Sequence, residues 1–237
     1  AAGSNQVDIN EQFTNLSWEV RSGASAAVAT RRAFKLAGTA PGGPVYVAFS
    51  RAAMAEKVTG EIWPAETFMI DARPRPATDK LERLARWLIE AERPAVIFGD
   101  EISRTNAQGH AVELCELLGL VAATGQQGFG NFPTFHPQYV GGLRASRPFP
   151  FGGHDVVVQF GARDPGGGTV PRQIRSPERY AAVGLDTSML GRTQPLDLAI
   201  VADVSVALEE LTDAVQSLAT KERLATIREA RLSAITP

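Results

Sequence analysis

Gly99, Thr124, Gly125, Gly161, Ala162, Arg163, Asp186 and Asp203 are the residues best placed to hold a ligand, because each falls at the end of a short apolar run. Their types suit a nucleotide. Glycine lets backbone approach a phosphate closely, Arg163 can pair with it through a planar guanidinium, and Asp186 or Asp203 can accept from ribose or amide donors. The opposing reading is that glycine and aspartate end strands in any α/β domain, since turns need them. Two features weigh against a phosphate loop. The first run continues as "FGDEIS", with no GxGxxG, and it puts Asp100 and Glu101 where they would repel a pyrophosphate. "RDPGGGTVP" (163–171) is glycine-rich but opens no helix.

Acid–base and nucleophilic chemistry find less support. The three histidines, His110, His136 and His154, fall in different elements, and there is no GxSxG, HExxH or cysteine–histidine pairing. His110 reads as a helix surface or boundary residue. His154 immediately precedes a strand, where bonding to backbone is favoured over chemistry. His136 lies in "GFGNFPTFHPQYVGG" (128–142), a stretch dense in aromatics, glycine and proline. Pro137 biases His136 toward extended backbone, and no orienting partner stands nearby in sequence, so a structural role is favoured over a general base.

The elements that must position these residues are legible from periodicity. Residues 24–54 read as helix, turn and strand: Ala29, Ala33, Phe34, Leu36 and Ala37 fit one helical face, "APGG" breaks it, and Val45 to Phe49 is a buried strand. Residues 59–78 carry prolines at 64, 74 and 76 without sustained period, which predicts a linker. A second unit opens at Asp79, where Asp79 and Glu82 have a capping-box pattern and a Thr78 cap is the alternative. Leu81, Leu84, Ala85, Leu88 and Ile89 form the apolar stripe of its first helix. Apolar runs at 94–99, 120–124, 155–161, 180–186 and 197–203 then alternate with helices at 106–119 and 205–218, followed by the charged segment "KERLATIREARLSAI". Continuous apolar strands alternating with amphipathic helices predict a doubly wound α/β domain whose parallel sheet is covered on both faces.

Composition excludes several classes. The chain has 237 residues, 44% hydrophobic and 21% charged, and its 24 basic against 26 acidic residues leave a net charge of -2, so no general field attracts nucleic acid or anionic lipid. No apolar run approaches the roughly 20 residues that span a bilayer. The lone Cys115 lies at helical spacing in "AVELCELLGL", which predicts a small core residue and excludes an internal disulfide. A reducing cytoplasm is the expected compartment. The chain opens on "AAGSNQ" and stops at "RLSAITP", so it reads as a piece of a longer protein.

Taken in order, these segments resemble thiamine diphosphate-dependent enzymes of the acetolactate synthase and benzoylformate decarboxylase group. "TRRAFKLAGTAPGGPVYVAFSRAAM" resembles the end of the pyrimidine-binding domain, and "LIEAERPAVIFGD" the opening of the central domain. "GNFPTFHPQYVGG" is similar to the family's "FP..HP...G" loop, "DVVVQFGAR" to its "D.v...GaR" strand, and "LDTSMLGRTQPLDLAIVADVSVALEEL" to the closing strand–loop–strand–helix. On this resemblance residues 1–58 are the C-terminal part of the pyrimidine-binding domain and 59–78 a linker. Residues 79–218 are the Rossmann-like central domain, and 219–237 start the linker to a C-terminal domain.

The chemistry implied is that of a lyase or transferase. A thiazolium ylid attacks a 2-oxo acid, carbon dioxide leaves, and the carbanion is protonated or captures a second carbonyl. The family's activating glutamate and its magnesium-binding "GDG…N" motif have no counterpart here, and Glu11 and Glu19 match neither. The segment is therefore expected to be the scaffold of a decarboxylase or carboligase, not catalytic by itself. Thiamine diphosphate and magnesium are expected in the parent, and a homo-oligomer, dimer or tetramer, with the chain's other domains as partners. The 128–142 stretch is expected to lie over the strand ends, its phenylalanines packing. Flavin-carrying relatives hold FAD there. They show a triple-glycine turn where this chain has "FGDEI", "GMHG" where it has "GGLRAS", and "FDDR" where it has "DPGGG". These departures argue against tight FAD binding and lean toward the decarboxylase branch. Gly161, Ala162 and Arg163 still match, which leaves an adenine-nucleotide site open. The rival readings are a stand-alone nucleotide-binding or regulatory module of the same fold, and an inactive paralogue.

Overall fold

A computed structural model describes residues 5–125, 130–142, 153–162, 178–192 and 195–235. The chain divides into two compact units, Ala1–Ala72 and Arg73–Pro237.

In the first unit, α1 (Gln6–Glu11), β1 (Leu16–Val20), α2 (Ala26–Gly38), β2 (Val45–Phe49) and α3 (Arg51–Ala55) follow one another. The two strands pair in parallel, Leu16 opposite Val45 through Val20 opposite Phe49. α2 buries Ala29 and Ala33, small residues that let the helix lie close to its neighbours. The expectation that Phe34 and Leu36 share that face does not hold. Phe34 is 66% exposed, and it lines a cavity of about 490 Å3 together with Arg31, Val58, Ile62, Trp63 and Phe68. The Arg31 guanidinium stacks over the Trp63 ring at 3.8 Å. Part of the proline-rich stretch thus packs against α2. Ser22 and Ser50 accept from the backbone N–H groups of Ala24 and Ala53, and the Glu56 carboxylate accepts from Gly23 N at 2.7 Å. The 3-10 turn Gly23–Ser25 that leads into α2 and the start of α3 are thus capped, while α2 itself has no side-chain cap.

The second unit is the expected α/β fold. Its order is α4 (Thr78–Glu90), β3 (Pro94–Phe98), α5 (Asp100–Arg104), α6 (Gln108–Leu118), β4 (Val121–Thr124), β5 (Tyr139–Gly142), β6 (Val156–Phe160), β7 (Arg179–Gly184), β8 (Leu198–Val201), α7 (Val204–Leu218) and α8 (Lys221–Ile235). All six strands are parallel, in the order β5-β4-β3-β6-β7-β8. Counted within the unit this is the 3-2-1-4-5-6 order of the Rossmann fold, with chain direction across the sheet reversing between β3 and β6. Alternation along the strands sorts the core. Val96, Phe98, Val158, Phe160, Ala181 and Val183 join the side chains of α4, α6 and α7 in one cluster. Ala95, Ile97, Ala123, Val157 and Tyr180 form a smaller cluster on the other face. Each fully buried leucine in the larger cluster contributes roughly 1.5–3 kcal/mol.

α4 buries Leu81, Leu84, Ala85, Leu88 and Ile89, the stripe read from sequence, and Trp87 besides. The capping box does not form. The helix starts at Thr78, Ala77 stands at the cap without a side-chain hydrogen bond, and Asp79 sits in the first turn, where its charge favours the helix dipole. The charged stretch after residue 219 forms α8, which packs against α6. Leu224, Ile227 and Arg231, at helical spacing, face the core. Arg231 is buried and donates to the carbonyls of Leu118, Leu88, Ile89 and Ala91, closing the C-terminal ends of α4 and α6 together. Burial lowers its pKa to about 10, so it remains charged at neutral pH.

Candidate functional site

The carboxyl ends of β3, β4 and β6 meet at the point where the strand order reverses. Gly99 leaves β3 in contact with Gly161 and Ala162. A β-carbon at 99 would overlap the Ala162 backbone, and Gly99 N donates to Phe160 O at 2.9 Å. Gly125 completes the cluster, its N–H donating to Phe98 O at 2.9 Å. Four of the eight sequence-predicted residues, Gly99, Gly125, Gly161 and Ala162, therefore come together. Arg163 lies outside the described residues.

The other three are used differently. Thr124 is buried and its hydroxyl pairs with the Tyr139 hydroxyl at 3.0 Å, tying β4 to β5. Asp186, read as an acceptor for ribose or amide donors, instead accepts from Ser188 N at 3.0 Å and from the Ser188 hydroxyl, which shapes the turn after β7. Asp203, read in the same way, is the N-cap of α7. Its carboxylate accepts from Val206 N at 3.1 Å while its own N–H donates to Pro74 O. A strand-ending aspartate before a helix is a strong cap, and that geometry takes its acceptor away from the crevice.

The residue at the crossing point is Glu101. Gly161 has φ +58, a left-handed conformation natural to glycine, and a β-carbon there would overlap Glu101 Cβ. From that start the side chain runs past Gly184 and ends at the turn after β7, where Oε2 accepts from Leu185 N at 3.0 Å. Burial pushes its pKa above 4.5. The Leu185 and Asp186 backbone N–H groups pull it down, the Asp186 charge pushes it up and Arg104 pulls it down, without cancelling the burial. Because the folded pKa lies above the unfolded one, Glu101 contributes stability at acidic pH that is lost as pH rises through the raised value. Stability differences between the chain and Glu101→Gln, measured in urea at several pH values, are expected to move in favour of Glu101 as pH falls from neutral toward 4.5. A pH-independent difference would show that burial does not control this carboxyl.

Residues 130–142 pack against their neighbours in the sheet and α6. Phe132 is buried and stacks on Phe98 at 5.3 Å and Tyr139 at 6.2 Å, with the His136 ring edge-on at 5.2 Å. Phe135, expected to pack, is 99% exposed instead. Gln138, which the sequence pattern does not single out, is buried and donates from Nε2 to Cys115 O and Leu120 O, both at 2.8 Å. His136 accepts from Gln138 N at Nδ1, and its Nε2 lies 3.4 Å from the largely exposed Glu116. The partner absent from the local sequence therefore comes from α6, but an exposed pair of this kind is worth at most about 1 kcal/mol. His154 bonds the Arg93 carbonyl at 2.6 Å, as its place before a strand predicts. Phe129 lies outside the described residues.

Among the described residues, no group of three or more His, Cys, Asp or Glu could hold a metal ion, and no helix is long and apolar enough to cross a membrane. The residues at the crossing point do not fit a dinucleotide diphosphate, because the Glu101 side chain lies across the floor that the diphosphate would need.

Comparison with known proteins agrees with this architecture. Residues 81–211 match the model of the thiamine pyrophosphate enzyme central domain. Acetolactate synthase of Mycobacterium bovis is 24% identical over 210 residues, covering 86% of this chain and 34% of that protein. Glyoxylate carboligase of Escherichia coli O157:H7 is 23% identical over 158 residues, covering 64% of this chain and 27% of its own length. Benzoylformate decarboxylase from Polynucleobacter necessarius shares the fold with a TM-score of 0.70 at 21% identity, over 89% of this chain and 40% of that one. The chain spans about a third of the length of the curated relatives it matches. With more than half of its residues on the family model, and the six-stranded parallel sheet in place, the chain belongs to the thiamine pyrophosphate enzyme family and carries that family's central domain.

Proposed function

We propose that this chain is the scaffold segment of a thiamine diphosphate-dependent 2-oxo acid decarboxylase or carboligase of the acetolactate synthase type, and that it does not turn over substrate by itself. The observation that carries this reading is the family match over 81–211, in a chain where Thr124, His136, Asp186 and Asp203 serve structure. His136 is held by Gln138 and faces Glu116, Asp186 shapes a turn, and Asp203 caps a helix. The Ser188 hydroxyl donates to Asp186 within that turn. In the parent enzyme the cofactor supplies the electron sink for carbanion chemistry. Its diphosphate and magnesium are held by residues beyond this segment. This chain's part is a rigid central domain between the cofactor-binding ones, in a cytoplasmic oligomer of at least two subunits. The rival reading, a nucleotide-binding module, has the strand order in its favour and Glu101 against it.

The test is turnover of 2-oxo acids by the full-length gene product that contains this chain, with and without thiamine diphosphate and magnesium. Cofactor-dependent carbon dioxide release or carboligation is expected from the full-length protein and none from the 237-residue chain. Turnover by this chain alone, or none by the full-length protein across pyruvate, glyoxylate and benzoylformate, would overturn the proposal.

A further inference from the structure

A doubly wound sheet holds its anionic ligands beyond the carboxyl ends of its strands, where the order reverses, and glycines there let the ligand approach the backbone. The second unit has that ground plan, but the space above its glycines is filled from within. Glu101 Cβ sits on Gly161, and a β-carbon at Gly184 would stand 3.4 Å from each of the two Glu101 carboxylate oxygens. The two glycines thus floor a trough that runs from the end of β6 to the end of β7, and one side chain lies along it. At its far end the carboxylate accepts from the backbone N–H of Leu185 at 3.0 Å, and the neighbouring Asp186 backbone N–H also favours its charge. Converging backbone donors over a glycine floor are what an anion site consists of.

We propose that Glu101 is an intramolecular ligand: its carboxylate occupies an anion-binding trough at the reversal point and keeps that trough closed to the phosphates of a flavin or adenine nucleotide. A tethered carboxylate competes at high effective concentration with any free anion. Neighbouring Asp100, held by Asn131 at 3.3 Å, adds a second negative charge against an incoming phosphate. Removing the Glu101 side chain takes away both the plug and one charge, while the Leu185 and Asp186 donors belong to backbone and stay. The same substitution should therefore turn a closed crevice into an open one.

Glu101→Ala in the full-length protein tests this, with inorganic phosphate and ADP as probes and sodium chloride controls at matched ionic strength. Thermal unfolding and titration calorimetry are the readouts. The unsubstituted protein is expected to show no phosphate-dependent rise in Tm and to release no flavin on denaturation. Glu101→Ala is expected to gain a phosphate-dependent rise in Tm and to bind ADP at least about tenfold more tightly. Glu101→Ser leaves a small polar group and carries the same expectation should the alanine variant not fold. The proposal is overturned if the unsubstituted protein binds phosphate or ADP as tightly as the variants, if it yields close to one flavin per chain, or if the folded variants gain no anion binding. None of these readouts involves 2-oxo acid turnover, so the result stands apart from the proposed catalytic role of the parent.

Discussion

Replacing Arg231 by alanine is expected to destabilise the second unit by about 3 kcal/mol, the cost of leaving buried acceptors without a charged donor. One guanidinium serves four carbonyls, at 2.6 Å for Ala91, 2.7 Å for Leu88, 2.8 Å for Leu118 and 3.4 Å for Ile89. These are the last-turn carbonyls of α4 and α6 and the carbonyl just past α4, groups with no partner inside their own helices. A planar fork can reach both helix ends at once, whereas an ammonium is a point donor. Arg231→Lys should therefore recover part of the loss and Arg231→Met, which keeps only the aliphatic stem, little of it. Urea unfolding reads the effect as a lower midpoint with an unchanged slope. A midpoint for the alanine variant within error of the parent would mean that α8 is not held through this residue.

Gly99→Ala should cost a similar amount, about 3 kcal/mol, at the upper end for overpacking. The added methyl would overlap the backbone of Gly161 and Ala162, and no rotamer change relieves a clash with backbone. The strands β3 and β6 would have to part at the reversal point, where Gly99 N donates to Phe160 O at 2.9 Å. Gly109→Ala is the matched comparison. Nothing lies within 4 Å of its β-carbon position, and it sits in α6, so it should be neutral or stabilising by up to about 1 kcal/mol. Equal urea midpoints for the two variants would show that close approach at Gly99 is not what demands glycine.

Five of the six strands of the second unit are legible in the sequence because parallel strands buried on both faces read as unbroken apolar runs, as "AVIF" and "VVVQF" do. β5, half-exposed and glycine-rich within the stretch read as a loop, and the short α5 are not. The convergence of Gly99, Gly125, Gly161 and Ala162 is legible for the same reason, since strand ends follow from strands. What side chains do at those ends is not. An aspartate after a strand reads alike whether it caps a helix, as Asp203 does, shapes a turn, as Asp186 does, or faces a ligand. Glu101 registers in sequence only as a charge hostile to phosphate; that it lies along a trough depends on glycines 60 and 83 positions away. In α8, an arginine stands where the apolar stripe of Leu224 and Ile227 continues, so the sequence shows a charged segment and not the buried face. Only the position of the α4 and α6 termini shows why a cation belongs there. The first unit is legible in part: the apolar run "VYVAF" marks β2, although the strand is half-buried and not buried as expected, whereas "LSWEV" of β1 mixes polar and apolar residues and lacks that signature.

As proposed above, this chain is a scaffold whose cofactor is held by the rest of its parent. Titration calorimetry of thiamine diphosphate with magnesium, into the full-length gene product and into the 237-residue chain, tests it most directly. Saturable, magnesium-dependent binding near one per subunit is expected in the full-length protein, and no binding by this chain alone. Saturable binding to the isolated chain, or none to the full-length protein, would contradict it.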